Sequence, residues 1–445
     1  MKKICAVVCL MCLLVSAVPA FSADKLGAEA KMKTASFWIN RIQNPDEVIM
    51  TPEAIEEFNT KIVATPGTYC KNMLEYPETR SKDVLIKAIS VERKLMPKNY
   101  VDGRRVTKEF LNSLVEECNI DALQEETPVR YGIASANSII KLVPTKKSSH
   151  KTPGDKLFDR YMESFVKIGE PLVVFHTSRS GKWYYVVATN CDGWMPAEDI
   201  AFTDKETLAN YLDKPFIIVT GTKIYPRGGL TGERYEFQLG TRLPLAENNE
   251  EVLKEVGSFS SYTVLLPDRD KNGNLCEKKL LIPCSADVHE GFLPYTQENL
   301  LKYVFKFLGE PYGWGGSFGQ WDCSAMIHDV YSLFGFRLPR NSGAQARIPA
   351  FSTNAKNMSD EQKRVLLAGL PAGTILQMPG HVMFYLGTVN GMPYIFHETY
   401  ATYGHAKNGK MKEIIINCAV VSDMELRRAN GKKIITCIEK IVAIK

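Results

Sequence analysis

Past its first two dozen residues the chain has no run approaching the roughly 18 apolar residues a membrane-crossing helix needs. That part of the sequence gives no reason to expect a span. Charge of one sign is also scarce. Lys and Arg number 55 against 50 Asp and Glu, a formal net charge of +5, too weak and too dispersed for a nucleic-acid partner. After residue 23 there is no Cys-x-x-Cys pair, so neither a zinc ribbon nor a dense disulfide scaffold fits. No Pro/Ser-rich stretch separates the β-rich segments, which are expected to pack together rather than hang on linkers.

What is there begins with Lys2 and Lys3, an apolar stretch from Ile4 to about Val18, and small residues in "VPAFSA". This reads as a secretory leader over residues 1–23, cut between about Ala20 and Ala23. Leu10 and Met11 ahead of Cys12 do not fit a lipid-modified cysteine. The expectation is an exported monomer, of the periplasm or of the extracellular space and cell wall. Losing Lys2 and Lys3 takes the charge from +5 to +3. Cysteines remain at 70, 118, 191, 276, 284, 323, 418 and 437. With one reserved for chemistry, the others cannot all pair.

A chain of 445 residues is too long for a single core and points to three or four domains. Residues 24–130 read as helical. In "TPEAIEEFNTKIVATPG", Thr51 is placed to cap a helix with Pro52 at its first position and Ile55, Phe58 and Ile62 on one face. "RVTKEFLNSLVEEC" repeats the pattern with Phe110, Leu114 and Val115. From about 131 the texture changes to short strands and turns, with Ser180-Gly181 and Asn272-Gly273 as hairpin signals. Two small β units are expected, over 131–210 and 211–288. In "DRDKNGNLCEKK" the first positions imitate a calcium loop, but Lys279 stands where a bidentate Glu belongs, so a hairpin turn is expected. From 289 to 445 helices precede antiparallel strands, an α+β arrangement.

The chemistry concentrates in that last segment. Cys323 sits just before an amphipathic run, "CSAMIHDVYSLFGF", where Met326, Ile327, Val330, Tyr331 and Phe334 recur at helical spacing. A helix N-terminus is one of the few places that stabilises a thiolate. His381 opens a strand after "QMPG" and is the best base, while His397 on the next strand fits the group that orients it. A two-residue turn at Asn390-Gly391 pairs position 381 with 400 and puts His397 on the opposite face. A shared face requires one extra residue, in the loop or as a bulge, so that 385 pairs with 397. Singly, a cysteine is more often a small buried hydrophobe, and a strand histidine is more often satisfied locally; the combination argues for chemistry. His328 reads as structural and His405 as a loop residue. "HETYA" lacks the second histidine of a zinc protease, Ala401 standing in its place.

Together "PYGWGG", "WDCSAM", "LPRNS", "GHVMFYLG" and "HETYA" resemble the NlpC/P60 family of papain-like cell-wall cysteine peptidases over residues 290–445. The "GKWYYVV…GWMPAEDIA" stretch resembles bacterial SH3 domains, in which a Gly-Trp pair closes the barrel before a 3₁₀ turn. With two SH3-like units and a helical segment upstream, the whole resembles the subgroup of γ-D-glutamyl-L-diamino acid endopeptidases. The resemblance implies Cys323 as nucleophile, His381 as base, His397 as orienting residue and Tyr312 as an oxyanion-hole donor. It implies that Asp322 and Ser324 bind a free substrate α-amine, with Ser342 lining that subsite and Arg340 supporting it. It implies also that the first SH3-like unit walls the subsite, through one or more of Tyr184, Tyr185 and Glu198. Ala325 departs from the family's usual Gly, and Asn341 from an acidic residue common in relatives.

No metal or organic cofactor is called for. The partners implied are peptidoglycan fragments, above all muropeptides with a free N-terminal L-Ala. Rival readings are an amidase cutting the lactyl-L-Ala bond, an endopeptidase of polymeric murein, and an inert wall-binding module.

Overall fold

The structure, a computed structural model, describes residues 24–92, 94–228, 233–247, 260–406 and 409–445. The expected leader lies outside the described residues. Among those described, no helix is long and apolar enough to cross a membrane.

The N-terminal helices start where their caps place them. Thr51 Oγ1 accepts from the Ala54 amide, and Pro52 opens the helix Pro52–Ala64. Its buried face, Ile55, Phe58 and Ile62, does not build a core of its own. It joins Trp38, Phe307, Phe334, Phe336 and Phe396 in the core of the C-terminal domain, with Phe58 edge-on to Phe336 at 5.9 Å. Asn59 fixes the contact, donating to Gly335 O at 2.9 Å and accepting from Arg337 N at 2.8 Å. The second half of the segment goes elsewhere. Thr107 caps the helix Lys108–Glu117, and Leu85, Ile89 and Leu114 share a core with Tyr131, Trp183 and Trp194 of the first β unit. The segment expected to be helical also contains short strands at Thr79–Ser81, Tyr100–Val101, Arg104–Arg105 and Glu126–Pro128.

The first β unit is a seven-stranded antiparallel sheet drawn from residues 130–203. Trp194, wholly buried, follows Gly193, and a 3₁₀ turn Ala197–Asp199 comes directly after that strand. The following residues form smaller sheets and the long hairpin Ser261–Arg269 with Leu275–Pro283. Its turn is closed by Asp270, which accepts from the amides of Asn272 and Asn274, while Gly273 takes φ of 84°. The calcium-like stretch is a hairpin.

The C-terminal domain sets the helices Gln297–Val304 and Cys323–Ser332 against a six-stranded antiparallel sheet. Across it the strands run Phe351–Asn354, Lys440–Ala443, Ile375–Met378, His381–Val389, Met392–His405 and Met411–Asp423. Sequence reading had no strand over Met411–Asp423. Near the C-terminus a helical turn Ile434–Cys437 precedes the strand Lys440–Ala443. His405, expected in a loop, ends its strand.

The hairpin register is the decisive detail. Val389 pairs with Met392 across Asn390-Gly391, both residues having positive φ, the geometry of the tight turn that Asn-Gly favours. Gly387 still pairs with Tyr394, but Tyr385 pairs with Ile395 and Phe384 with Phe396. Leu386 is therefore the extra residue, a bulge on the His381 strand. The expected irregularity exists with the opposite sense, since 385 faces 395 and not 397. Either sense brings 381 and 397 to one face.

Candidate active site

Cys323 is the first residue of the helix Cys323–Ser332. Asp322 caps that helix, its Oδ1 accepting from the amides of Ser324 at 3.2 Å and Ala325 at 2.9 Å and from Ser324 Oγ at 3.1 Å. Arg340 clamps the same carboxylate bidentately, Nη1 to Oδ1 at 3.0 Å and Nη2 to Oδ2 at 2.7 Å. The Gly315 amide completes the set at 3.1 Å. Arg340 also donates through Nη1 to Ser324 Oγ and through Nε to Ser164 Oγ of the first β unit. Asp322, Ser324, Arg340, Ser164 and Gly315 are all buried, and Ala325 is half-buried. Burial alone would raise the Asp322 carboxyl, yet the Arg340 guanidinium and the N–H donors hold it below its ordinary value. The carboxylate is saturated with protein donors.

The sheet end of the site carries no such charge. His381, His397 and Ser422 are 6%, 1% and 0% exposed. Ser422 Oγ lies 3.0 Å from the Asp423 carbonyl and 3.2 Å from His397 Nε2. The hydroxyl has one proton, and a carbonyl can only accept. Ser422 therefore donates to Asp423 O and accepts from His397 Nε2–H. A neutral His397 then has its lone pair on Nδ1, which accepts from His381 Nε2–H at 2.9 Å. His381 is left with a bare Nδ1, free to take a proton.

The two ends meet where the His381 strand starts, because the Val382 amide hydrogen-bonds toward the Cys323 thiol and the Cys323 helix packs on that strand. Burial, then the Asp322 carboxylate, push Cys323 up to about 12. Burial, then His397 and Arg428, pull His381 well below 6.5. Burial and Arg428 take His397 down to about 3. The resting arrangement is a neutral thiol beside neutral imidazoles. Burial, then the Cys323 and Asp322 charges, raise the hydroxyl of Tyr312, and the Tyr312 backbone bridges to Trp321, two residues before the thiol.

Other expected residues fall differently. Ser342 begins the short helix Ser342–Gln345, half-buried. Gln345, unremarked in the sequence, is wholly buried and donates to Ser324 O and Pro339 O. The structure does not bring Tyr184, Tyr185 or Glu198 to Cys323. Tyr185 is inside the barrel, edge-on to Trp194, with its hydroxyl between Ala88 O and the Asp192 carboxylate. Tyr184 packs on Phe202, and exposed Glu198 lies 3.6 Å from Lys146. The alternation of the strand Trp183–Val187 accounts for Tyr185, whose ring faces the core.

A different stretch of the same unit reaches the site. Phe158 packs against Tyr312, Trp314 and Tyr400 with centroids 6.1, 5.6 and 4.8 Å apart. Glu163 Oε1 accepts from Asn341 Nδ2 at 3.3 Å. Gly316, at φ of 87°, lets Phe165 approach so closely that a Cβ there would lie 2.5 Å from Phe165 Cβ. Glu398, next to His397, is 0% exposed and neither carboxyl oxygen has a partner among the described residues.

Two family models match the chain: an SH3 domain of the SH3b1 type over residues 147–196 and the NlpC/P60 family over 309–416. A gamma-D-glutamyl-L-lysine dipeptidyl-peptidase of Bacillus cereus is 30% identical over 164 residues, 35% of this chain and 43% of that protein. One of the same name from Bacillus subtilis is 25% identical over 199 residues, 42% of this chain and 59% of that protein. The chain thus spans about half the length of these curated relatives. A solved NlpC/P60 endopeptidase from Photobacterium damselae subsp. piscicida superposes with a TM-score of 0.74 over 91% of this chain and 96% of that one, at 17% identity. That likeness is one of fold. The segment that matches the NlpC/P60 family model holds Cys323, His381 and His397 together, and the fold around it is shared with that solved endopeptidase over 91% of this chain.

Proposed function

We propose that this chain is a cysteine peptidase that hydrolyses the γ-D-glutamyl–diamino acid bond of peptidoglycan stem peptides. The observation that carries the reading is the relay Ser422–His397–His381, which ends in a bare imidazole nitrogen on the strand whose Val382 amide meets the Cys323 thiol. The names of the two Bacillus relatives support the bond class.

In this reading His381 Nδ1 takes the thiol proton as substrate arrives, and the sulfur attacks the γ-carbonyl carbon. Tyr312 O–H donates to the oxyanion as it forms. The imidazolium then protonates the leaving amine, and water, deprotonated by His381, hydrolyses the thioester. His397 orients the base and Ser422 fixes its tautomer. With the thiol held near 12 and His381 pulled down, the proton stays on sulfur until that moment, so activation is by general base and not by a standing ion pair.

We place free muropeptides with N-terminal L-Ala, in a recycling role outside the cytoplasm, as the physiological substrates. Asp322 has its lone pairs engaged, so the amine falls to the carboxyl that the first β unit brings beside Asn341 and Arg340, that of Glu163. Burial raises that carboxyl, and an incoming ammonium would favour its ionised form. Ser324 and Ser342 complete the subsite. The test is mass spectrometry of L-Ala-γ-D-Glu-diaminopimelate and its N-acetylated form after incubation with the protein. Cleavage of the free tripeptide alone, lost in Glu163→Gln, supports the reading. Equal cleavage of both keeps the peptidase and removes the amine filter; cleavage of neither removes both.

A further inference from the structure

A cavity of about 400 Å³ opens where the N-terminal segment, both β units and the C-terminal domain meet. That lies within the range of small-molecule sites, roughly 300–1,000 Å³. Its apolar walls include Val63, Leu74, Ile168, Phe292 and Phe336. It touches the Cys323 helix at His328 and at Ser332, the last residue of that helix, roughly 8 and 14 Å along the axis from Cys323 at 1.5 Å per residue, and none of Cys323, His381, His397, Asp322 or Arg340 lines it. It is separate from the site described above.

Among the residues lining it is Arg242, whose guanidinium is stacked 4.0 Å from the Phe216 ring and 5.5 Å from the Phe292 ring. Its one hydrogen bond to a described residue runs from Nη2 to Leu212 O. Its Nε has no acceptor, and no described carboxylate pairs with it. Of the other charged groups at the cavity, Lys167 is paired with Asp329 at 2.7 Å, Arg337 with Glu56 at 2.9 Å and Lys71 with Asp192 at 3.9 Å, while Glu170 accepts from the Lys167 amide at 3.2 Å. Burial depresses the Arg242 guanidinium to about 10, as expected of a cation left without compensation. A planar fork with unused donors beside apolar walls is complementary to a carboxylate carrying an apolar body.

We propose that this cavity is a second ligand site, taking a small aliphatic carboxylate with its head group on Arg242 and its tail along Phe292, Phe336 and Leu74. The probe is decanoate, titrated calorimetrically into the full chain carrying Cys323→Ala, so that the peptidase site cannot act. Saturable binding of one equivalent is expected, weakened roughly tenfold or more in Arg242→Met or when decanol replaces decanoate. Leu74→Trp, which fills the cavity from its apolar wall, should abolish binding and leave tripeptide cleavage unchanged in a chain that retains Cys323. The proposal is overturned by absence of saturable binding, by equal binding of decanol, or by decanoate binding that survives Leu74→Trp.

Discussion

At the helix end of the site a full ion pair is buried, Asp322 with Arg340, and six donor contacts hold the carboxylate. At the sheet end two histidines are equally buried, and the one charge acting on both is the positive Arg428. The first arrangement fixes charge so firmly that it cannot exchange partners, and so serves as architecture: it anchors the start of the Cys323 helix to the first β unit through Ser164. The second holds neutral groups in a defined tautomer, and so can accept a proton. In the proposed reaction the proton is taken up on the side where the titrating groups are neutral at rest.

Two substitutions should separate these roles with the largest effects. Cys323→Ala is expected to abolish cleavage, a loss of at least about a thousandfold, with an unchanged melting curve, because it removes the sulfur and leaves the ion pair in place. Appreciable residual turnover would assign the nucleophile elsewhere. Arg340→Met should do the reverse by first destabilising the fold. It strands a buried carboxylate, which costs about 3–5 kcal/mol, read by denaturant unfolding. A change below about 1 kcal/mol would show that the capping amides alone suffice for Asp322.

Much of this was legible in the sequence. Thr51-Pro52 announced its helix, the amphipathic run after Cys323 placed the thiol at a helix start, and two histidines on adjoining strands demanded one extra residue, in the loop or as a bulge. The sense of the bulge was not legible, since a shared face constrains parity and not the strand that carries Leu386. Ser422 was invisible because its strand, Met411–Asp423, went unread: "MKEIIINCAVVSD" begins with charged residues and lacks clean alternation. The contact between Phe158–Phe165 and the site was hidden for a different reason. No local pattern tells which edge of a barrel a neighbouring domain will cover, and the aromatic-rich stretch around Tyr184 and Tyr185 drew attention to the wrong edge. The helical segment likewise gave no sign that its two halves would join two different cores.

The neutral end makes a smaller and sharper prediction. Ser422→Ala removes the acceptor of His397 Nε2–H and frees the tautomer. Losing one such bond costs about 1–2 kcal/mol, or roughly five- to thirtyfold in turnover, with no comparable change in stability. In the parent protein, His381 is held below 6.5 and stays neutral, able to act as a base, in mildly acidic solution. The acid limb of the kcat/KM profile should therefore lie below pH 6.5; a limb at or above that value would mean that burial does not govern the base.

Glu398 tests the comparison most finely, because it is a buried acid with neither of the two solutions. Among the described residues no cation clamps it and no relay uses it, and burial, then Glu310 and Asp322, push it up to about 9 from an ordinary 4.5. Between those values the unfolded chain has released the proton and the folded chain has kept it, so the native state binds more protons and loses stability as pH rises. Below 4.5 both states are protonated and the penalty vanishes. Glu398→Gln cannot ionise in either state. It should melt with the parent near pH 4.5 and above it near pH 9, the gap widening steadily in between. A gap that stays constant with pH would mean that the carboxyl is already ionised in the folded protein, and that the sheet end tolerates a fixed negative charge after all.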